Sequence, residues 1–347
     1  MSEQRVDLVG LSRAEVEDLM AGLGQPRYRG RQLFHWVHAR RVTDVGLMTD
    51  LSQALRAELH GRFRMSRPEV AQVQRAVDGT RKYLLRLADG EEIESVLIPD
   101  EDRLTACISS QVGCPLACRF CLTGLMGVRR NLTAAEITAQ VLLLRDRLEG
   151  EERLSNIVMM GMGEPLLNFS QVERALRILS DEHGASFSPR RITVSTAGHI
   201  PGIQKLAASD LGVNLAVSLS ATTDAVRNQI MPINRRWPLA ELLEACRAYP
   251  LPNRRRLTFE YVMLDGVNDS KEDATRLARL LRGIRSKINL IPFNPAPDLP
   301  DRPSPRQRVE AFQQILHDAG MTATIRESRG WDISAACGML RVEKDKT

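Results

Sequence analysis

The chain has 347 residues, 43% of them hydrophobic and 26% charged, with a formal net charge of +5. That length allows one large α/β domain with a small appendage, and the composition excludes a wholly disordered chain. No apolar run approaches the roughly 18 residues that a membrane span needs, and the N-terminus lacks the apolar segment of a signal peptide. Six cysteines, three of them close together, suit a metal site in a reducing cytoplasm better than a disulfide framework. We therefore expect a cytoplasmic protein that does not associate with membranes.

The first 68 residues are predicted to form a small helical domain. A capping box at Ser12 and Glu15 indicates where the first helix begins. The second predicted helix interleaves aromatic residues with Arg27, Arg29, Arg31, Arg40 and Arg41. The third presents one apolar face, formed by Met48, Leu51, Leu55 and Leu59. The basic residues could follow the phosphate backbone of a nucleic acid, and a solvated basic face explains them equally well.

Two hairpin signals, Asp78-Gly79 and Asp89-Gly90, dominate the segment that follows. The flanking residues alternate with a period of two, which is typical of strands. We therefore predict a β-meander over residues 69–99, with strands at 70–77, 82–87 and 93–98.

From residue 100 to residue 335, apolar strand-like runs alternate with amphipathic helical stretches. The runs cover residues 104–109, 156–160, 192–196, 214–219, 257–263, 288–293 and 322–325. Such alternation is typical of parallel βα units. We predict an α/β fold whose core is a partial (β/α)6 barrel, followed by a tail over residues 336–347.

Three cysteines follow the first of these strands, in the run Cys114-Pro-Leu-Ala-Cys118-Arg-Phe-Cys121. Three thiolates in one short loop can bind three irons of a [4Fe-4S] cluster and leave the fourth iron open, as a catalytic centre requires. The C-x3-C-x2-C spacing is the one that radical enzymes dependent on S-adenosylmethionine (SAM) use. On spacing alone, a zinc site with its fourth ligand elsewhere is the alternative.

Several distinctive residues are predicted at the carboxyl ends of the strands, where parallel βα folds bind ligands. Gly163 and Glu164 follow the second strand; the glycine lets the backbone approach a ligand, and the carboxylate can pair with an ammonium group. The others are Ser195, Ser218, Leu219, Ser220 and Asn294. Each alone is an ordinary turn or cap residue. Beside an open iron, the set predicts a SAM-binding pocket and disfavours zinc.

Four further motifs occur in order between about Leu11 and Leu340. They are Met159-Met-Gly-Met-Gly-Glu-Pro-Leu-Leu-Asn168, Met231-Pro-Ile-Asn234, Asn289-Leu-Ile-Pro-Phe-Asn-Pro295 and Ala335-Ala-Cys-Gly338. With these motifs and the cysteine loop, the chain resembles the RlmN/Cfr family of radical-SAM RNA adenine methyltransferases. The resemblance implies a radical-SAM barrel with one [4Fe-4S] cluster and SAM. Its closer branch, RlmN, implies methylation of C2 of adenine 2503 in 23S rRNA and also of adenine 37 in tRNA. An electron donor such as flavodoxin and a monomeric state are further family expectations.

The resemblance also implies roles for three residues outside the cluster and SAM sites. Cys337 matches the thiol that takes a methyl group from one SAM; a second SAM yields the radical that activates this methyl group for addition to adenine. Cys107 matches the thiol that resolves the covalent adduct through a transient disulfide with Cys337. Glu94 matches the acceptor of the C2 proton. Without the family, Cys107 would be a small buried hydrophobe and Glu94 a solvated strand residue.

The chain departs from the family pattern at two positions. Ser220 stands where histidine is common, and Met339 stands where glutamine is common. These changes put a SAM contact by Ser220 and a polar role at residue 339 in question. The Cfr-type branch, which methylates C8, is the nearest alternative, although Glu327-Ser-Arg-Gly330 is more similar to the C2 branch. A zinc-stabilised RNA-binding protein without catalysis is the alternative from another class.

Overall fold

The computed structural model describes residues 5–101 and 103–342. Its strands are β1 (Val6–Asp7), β2 (Phe63–Arg64), β3 (Glu69–Arg75), β4 (Arg81–Arg86), β5 (Glu92–Asp100), β6 (Arg103–Cys107), β7 (Gln111–Gly113), β8 (Val128–Asn131), β9 (Leu154–Met159), β10 (Ile192–Thr196), β11 (Asn214–Ser218), β12 (Leu257–Met263), β13 (Ser286–Pro292) and β14 (Ala323–Ile325). Its α-helices are α1 (Arg13–Gly22), α2 (Arg27–His38), α3 (Gln53–Arg62), α4 (Leu122–Leu125), α5 (Ala134–Asp146), α6 (Phe169–Ser180), α7 (Ile200–Ala208), α8 (Asp224–Ile230), α9 (Leu239–Ala248), α10 (Lys271–Leu280) and α11 (Arg306–Asp318).

A ten-stranded sheet dominates the molecule, in the order β14-β13-β12-β11-β10-β9-β6-β5-β4-β3. Strands β6 and β9 to β14 pair in parallel, whereas β3 to β6 pair antiparallel as a meander. Within the described residues β3 and β14 are the two edges of the sheet, so the barrel stays open. The predicted α/β fold, with a partial barrel and a β-meander, is confirmed.

One part of the predicted core differs from the structure. The cysteine loop does not directly follow the first parallel strand, because β7 and β8 form a separate antiparallel pair on either side of it. Gly113 in β7 has a φ of +76°, and the carbonyl oxygen of Gly127 occupies the space that a side chain would need. With only three residues, Gln111-Val-Gly113, β7 is too short to show a strand period in the sequence.

The parallel sheet has an apolar outer face and a more polar inner face. On β12, Leu257, Phe259 and Tyr261 belong to the main hydrophobic core between the sheet and the helices. Thr258 and Glu260 alternate with them and so lie on the opposite face. The inner face is thus available for a ligand at the carboxyl ends of the strands.

The N-terminal unit folds around its own apolar core, which includes Leu33, Phe34 and Leu59. The second helix ends at His38, earlier than predicted. The third begins only at Gln53, because the Ser52 hydroxyl caps it by accepting a hydrogen bond from Leu55 N (3.3 Å). The predicted helical positions Met48 and Leu51 therefore precede the helix, although both are buried.

The unit packs on helices α5 and α6 of the barrel. Apolar side chains of both helices, Ala139, Leu142 and Ile178, complete its core. Arg174 Nε donates a hydrogen bond to the Gly10 carbonyl oxygen (2.7 Å). Gly10 has no room for a side chain, because a Cβ there would meet Ala135 at 2.9 Å. The N-terminal unit and the barrel therefore share a tight interface.

His38 makes the N-terminal unit sensitive to acid. Its side chain has no solvent exposure, and burial, reinforced by the charge of Arg67, lowers its pKa to about 3. Between pH 3 and about 6.5 the unfolded chain therefore binds a proton that the folded chain does not, and the free energy of unfolding falls as pH falls, by about 1.4 kcal/mol per unit. In His38→Leu, the loss of stability between pH 7 and pH 5 should shrink by about 2 kcal/mol in urea titrations.

The matched control is His60→Leu, which changes an exposed histidine on α3 of the same unit. This variant should keep the pH dependence of the wild type. Equal losses of stability in the wild type and in His38→Leu would show that His38 is not the source of the acid sensitivity.

Candidate active site

The cysteine loop is fixed by backbone hydrogen bonds at both ends and in the middle. Cys114 N donates to the Gly127 carbonyl oxygen (2.9 Å), Cys121 N donates to Cys118 O (3.1 Å), and Arg119 N donates to Ile230 O (2.9 Å). The Arg119 guanidinium also forms an ion pair with Asp301. Below the loop lies a separate apolar cluster that includes Leu122, Ile230, Met231 and Phe293. The loop is therefore held in one conformation by three different parts of the chain.

The three thiols of this loop are free and close to one another. Burial raises the pKa of Cys118 well above its ordinary value, and the charges of Cys121 and Cys114 raise it further. Burial also raises the pKa of Cys114, to about 12, and that of Cys121. Cationic irons reverse this effect, because coordination deprotonates a thiol. Soft, mutually close thiols on a rigid loop fit an iron–sulfur cluster.

A single metal ion needs ligands that converge on one point. In the described parts of the chain, no three His, Cys, Asp or Glu side chains are grouped so that they could hold one metal ion. An iron–sulfur cluster binds each thiolate through a different iron, so its ligands need not converge on one point.

The backbone after β9 approaches its neighbours closely, as the two glycines in the sequence suggested. Gly163 has a φ of +101°, and a Cβ there would lie 2.6 Å from the Gln111 Cβ. Glu164 N donates to Gln111 Oε1 (2.9 Å), and Gln111 Nε2 donates to Asn131 Oδ1 (2.8 Å). Gln111 thus positions the Glu164 backbone. Gln111 lies on β7, a strand that was not predicted, and for this reason its contact with Glu164 was not foreseen from the sequence.

Glu164 is a buried carboxylate close to the thiols of the cysteine loop, and its charge contributes to the raised pKa of Cys118 and of Cys114. Its two oxygens accept hydrogen bonds from Leu166 N (3.1 Å) and Ala197 N (2.7 Å). Burial nevertheless raises its pKa to about 7. A carboxylate that is so poorly solvated would gain from a cationic partner, and an amino group is one.

The predicted SAM contacts at the ends of β10 and β11 differ in solvent accessibility. Ser195 and Ser218 are partly exposed. Leu219 and Ser220 have no exposed surface, so a contact with a ligand would need a local adjustment. Ser220 has a φ of +50°, and its hydroxyl accepts a hydrogen bond from Val262 N (3.2 Å). As SAM contacts, these residues stay predictions.

Arg227 on α8 connects the carboxyl ends of β10 and β11 through hydrogen bonds. Sequence reasoning missed this residue. The guanidinium has no exposed surface and donates to the carbonyl oxygens of Ala197 (2.7 Å), Ser218 (3.0 Å) and Leu219 (3.0 Å). Burial lowers its pKa to about 10, and the charge of Cys118 opposes that shift. A fixed cation therefore lies near Cys118, one of the three predicted cluster ligands.

A polar row crosses four neighbouring strands on the inner face. In the register of the sheet Ser218 pairs with Glu260, Glu260 with Asn289, and Asn289 with Thr324. Asn289 Nδ2 donates to Glu260 Oε1 (2.9 Å), and Thr324 Oγ1 donates to Asn289 Oδ1 (2.9 Å). Burial raises the pKa of Glu260. Strands that helices cover are usually apolar throughout, whereas these strands have polar residues at alternate positions. Sequence reasoning overlooked this signal.

The segment that carries Cys337 is bound to the cysteine loop. Leu122 N donates to the Gly338 carbonyl oxygen (2.7 Å), and Thr123 Oγ1 donates to Leu340 O (2.6 Å). Gly338 has a φ of +83° and lies against the carbonyl of Phe120, where a Cβ would be 2.7 Å from the oxygen. These contacts anchor the segment to the cysteine loop, so it is not a loose turn, although the Cys337 side chain itself is exposed.

Asn294, predicted to contact SAM, binds the same segment. Its Nδ2 donates to the Cys337 carbonyl oxygen (3.2 Å), and its Oδ1 accepts from Ser328 Oγ (2.6 Å). The Cys337 side chain is accessible to solvent, yet protein surrounds it closely enough that desolvation raises its pKa. The charge of Glu260 adds to the rise, and Arg326 opposes it.

Cys107 and Glu94 lie on the same side of the sheet as this segment. Cys107 pairs with Val96 across β5 and β6, and Glu94 is two residues from Val96 on the same face. Burial raises the pKa of Cys107 to about 12, and the nearby charge of Cys337 contributes. The two thiols are therefore close enough to interact electrostatically.

Glu94 binds both the meander and the C-terminal segment. Its Oε1 forms an ion pair with Lys82 Nζ (3.0 Å), and its Oε2 accepts from Arg341 N (2.7 Å). Lys82 Nζ also donates to the Ser334 carbonyl oxygen (3.2 Å). Sequence reasoning missed Lys82, because a lysine on a hairpin strand is usually solvated.

The predicted basic face of the N-terminal unit is partly neutralised. Arg27 pairs with Asp18 (2.6 Å) and Arg41 with Asp146 (2.5 Å). Arg40 lies over the Trp36 ring, 4.4 Å from its centroid.

No helix among the described residues is long and apolar enough to cross a membrane.

Comparison with known proteins matches both parts of the chain. A model of the radical SAM superfamily matches residues 108–278, and a model of the ribosomal RNA large subunit methyltransferase N-terminal domain matches residues 6–65. A crystal structure of a radical SAM methyltransferase from Sphaerobacter thermophilus is 49% identical, with a TM-score of 0.92. It covers 97% of this chain and 100% of its own chain.

Two curated relatives are similar over nearly the whole length. The dual-specificity RNA methyltransferase RlmN of Rhodospirillum rubrum is 52% identical over 97% of this chain and 80% of its own. The protein of the same name from Geobacter sulfurreducens is 53% identical over 98% of this chain and 93% of its own. Together with the cysteine loop and the tail that is bound to it, this similarity shows that the chain belongs to the RlmN family of the radical SAM superfamily.

Proposed function

We propose that this protein methylates C2 of an adenine in RNA, with a [4Fe-4S] cluster and SAM as cofactors. The observation that carries the proposal is the attachment of the Cys337 segment to the cysteine loop. Two hydrogen bonds join them, one from the Leu122 backbone N–H to the Gly338 carbonyl oxygen and one from the Thr123 hydroxyl to the Leu340 carbonyl oxygen. A reactive thiol next to a radical source is useful only if the radical acts on a group that the thiol carries.

The bound cluster and SAM would supply methyl groups and a 5′-deoxyadenosyl radical. Cys114, Cys118 and Cys121 would hold the cluster, and Glu164 would bind the amino group of SAM. Gly163, Ser195, Ser218, Leu219, Ser220 and Asn294 would form the rest of the SAM site. The exposed Cys337 thiol would carry the methyl group, because C2 of adenine is an electron-poor carbon that cannot attack SAM itself.

The remaining two residues would complete the transfer. Glu94 would accept the C2 proton, since its carboxylate lies on the same face of the sheet as Cys107 and binds Arg341 of the C-terminal segment. Cys107, as a thiolate, would attack the Cys337 sulfur of the adduct. The bond from that sulfur to the methylene carbon would break, the carbon would take up a proton to become the methyl group, and the two cysteines would be left as a disulfide. The charge of Cys337 already acts on the Cys107 thiol.

The proposed substrates are adenine 2503 of 23S rRNA and adenine 37 of tRNA, which the resemblance to RlmN implies; two RNA substrates agree with the dual specificity in the names of the curated relatives. The N-terminal unit would contact RNA through basic residues such as Arg29, Arg31 and Arg40. We further propose that the protein acts in the cytoplasm as a monomer with a reductant of the flavodoxin type.

Methylation of defined rRNA and tRNA fragments with labelled SAM tests this function. After digestion, 2-methyladenosine and 8-methyladenosine are separated. Label in 2-methyladenosine is the expected result, and label in 8-methyladenosine would assign the C8 activity instead. An anaerobically purified protein that contains zinc and no iron would contradict the radical chemistry altogether.

A further inference from the structure

A cavity of about 350 Å³ lies beside the Cys337 segment, outside the site described above. Its wall includes Ser304, Arg306, Arg326, Ser328 and Trp331. Ser328 connects it to the reactive thiol, because its hydroxyl donates to Asn294, which in turn donates to the Cys337 carbonyl oxygen. The volume is at the lower end of the range of about 300–1,000 Å³ in which small-molecule sites fall. A ligand here would be a close neighbour of whatever reacts at Cys337.

Trp331 presents an exposed aromatic surface at this cavity. Its side chain is 69% exposed, which is unusual for so large an apolar residue. It lies in a short 3-10 turn, Trp331–Ile333, between two residues in the left-handed conformation, Gly330 (φ +64°) and Ser334 (φ +53°). The exposure is therefore produced by a specific backbone conformation.

The turn that carries Trp331 is held rigidly against the hairpin of the meander. Gly330 N donates to Asp78 Oδ2 (2.8 Å), and Val77 N donates to Asp332 Oδ2 (3.0 Å). A side chain on Gly330 would collide with Thr80 and Ala335. Because the backbone that carries the ring is already fixed, less entropy is lost when a flat partner stacks on the ring.

The cavity also offers a cation that forms no ion pair and a hydroxyl that forms no hydrogen bond with the described residues, although the Arg326 charge still acts on Cys337 and Glu260. Arg326 is exposed, and its guanidinium forms no ion pair or hydrogen bond with the described residues. Arg306, in contrast, binds Glu327 (3.2 Å), so these two charges offset each other. Ser304 is 6% exposed, and its buried hydroxyl has no hydrogen-bond partner in the described part of the chain.

An aromatic face, an unpaired guanidinium and an unpaired hydroxyl match the base, phosphate and sugar oxygens of a nucleotide. We propose that this cavity binds the nucleotide next to the target adenine, with its base on Trp331 and its phosphate on Arg326. The inference rests on the proposed function. It adds a stacking site that would help to hold the RNA strand open while the target adenine is extruded towards Cys337.

Binding of short RNA hairpins that contain the target adenine tests this site. Hairpins with an intact sequence are compared with hairpins that lack the base on the 5′ or the 3′ side of the target. Trp331→Ala should weaken binding of the intact hairpin about 5- to 150-fold, because stacking on an aromatic side chain is lost. On the hairpin that lacks the stacked base, the same substitution should change affinity by less than about twofold, since the partner is already absent.

Trp331→Phe is the matched variant and should restore most of the affinity for the intact hairpin. If Trp331→Ala weakens binding of all three hairpins equally, or weakens binding of none, the proposal of a stacking site is overturned. The wild type is assayed for methylation of the intact hairpin in the same series. If the intact hairpin is methylated but Trp331→Ala does not weaken its binding, only the inference is refuted. If the wild type binds the intact hairpin and does not methylate it, the proposed function is refuted, and the inference with it.

Discussion

Replacing Cys337 by alanine should abolish methylation of RNA while the iron–sulfur cluster remains intact. This thiol is the proposed carrier of the methyl group, and the loss of a covalent nucleophile can cost a factor on the order of 10⁶ in rate. The cluster should survive, because the tail is bound to the cysteine loop through the backbone of Gly338 and the side chain of Thr123. Iron content, visible absorption and label transferred to RNA are the measurements.

The matched control is Cys246→Ala. Cys246 is buried in the main core on α9, and it takes no part in the proposed chemistry. This variant should lose some stability and keep methylation. Methylation by Cys337→Ala at a rate near that of the wild type would contradict the role of the thiol.

Replacing Glu94 by glutamine should slow methyl transfer by a factor on the order of 10² to 10⁴, the usual range for removal of a general base. Glutamine can still accept the hydrogen bond from Arg341 N. It cannot accept a proton, so the covalent adduct between Cys337 and RNA should accumulate. Single-turnover assays that follow both product and protein–RNA adduct would detect this.

The substitution also leaves Lys82 as a buried, unpaired charge, because the ion pair of 3.0 Å is lost. The double variant Lys82→Met with Glu94→Gln removes that charge and separates the two effects. If activity returns in the double variant, Glu94 serves the structure and not proton transfer. Glu92→Gln, on the same strand, should leave methyl transfer unchanged.

Features that depend on local sequence could be predicted. The capping box at Ser12, the two Asp-Gly hairpins and the apolar runs of the parallel strands depend on neighbouring residues, and the structure contains them. The spacing of Cys114, Cys118 and Cys121 likewise lies within one loop. Local patterns therefore identified the fold and the candidate cluster ligands.

Contacts between distant segments could not be read in this way. Lys82 and Glu94 are buried together only because the meander and the C-terminal segment meet. Arg227 looks like an ordinary helical arginine until its carbonyl partners on two strand ends are known. The anchoring of Cys337 was missed for the same reason, since a glycine next to it is equally typical of a loose turn.

The fate of the hydrogens of the transferred methyl group tests the central claim most directly. The wild-type protein is allowed to methylate RNA with SAM whose methyl group carries three deuterons, and the methyladenosine is analysed by mass spectrometry. If a radical removes one hydrogen from the methyl group on Cys337 before it reaches adenine, the product should retain two of the three deuterons. Retention of all three would mean direct displacement, and would contradict the radical mechanism proposed for this site.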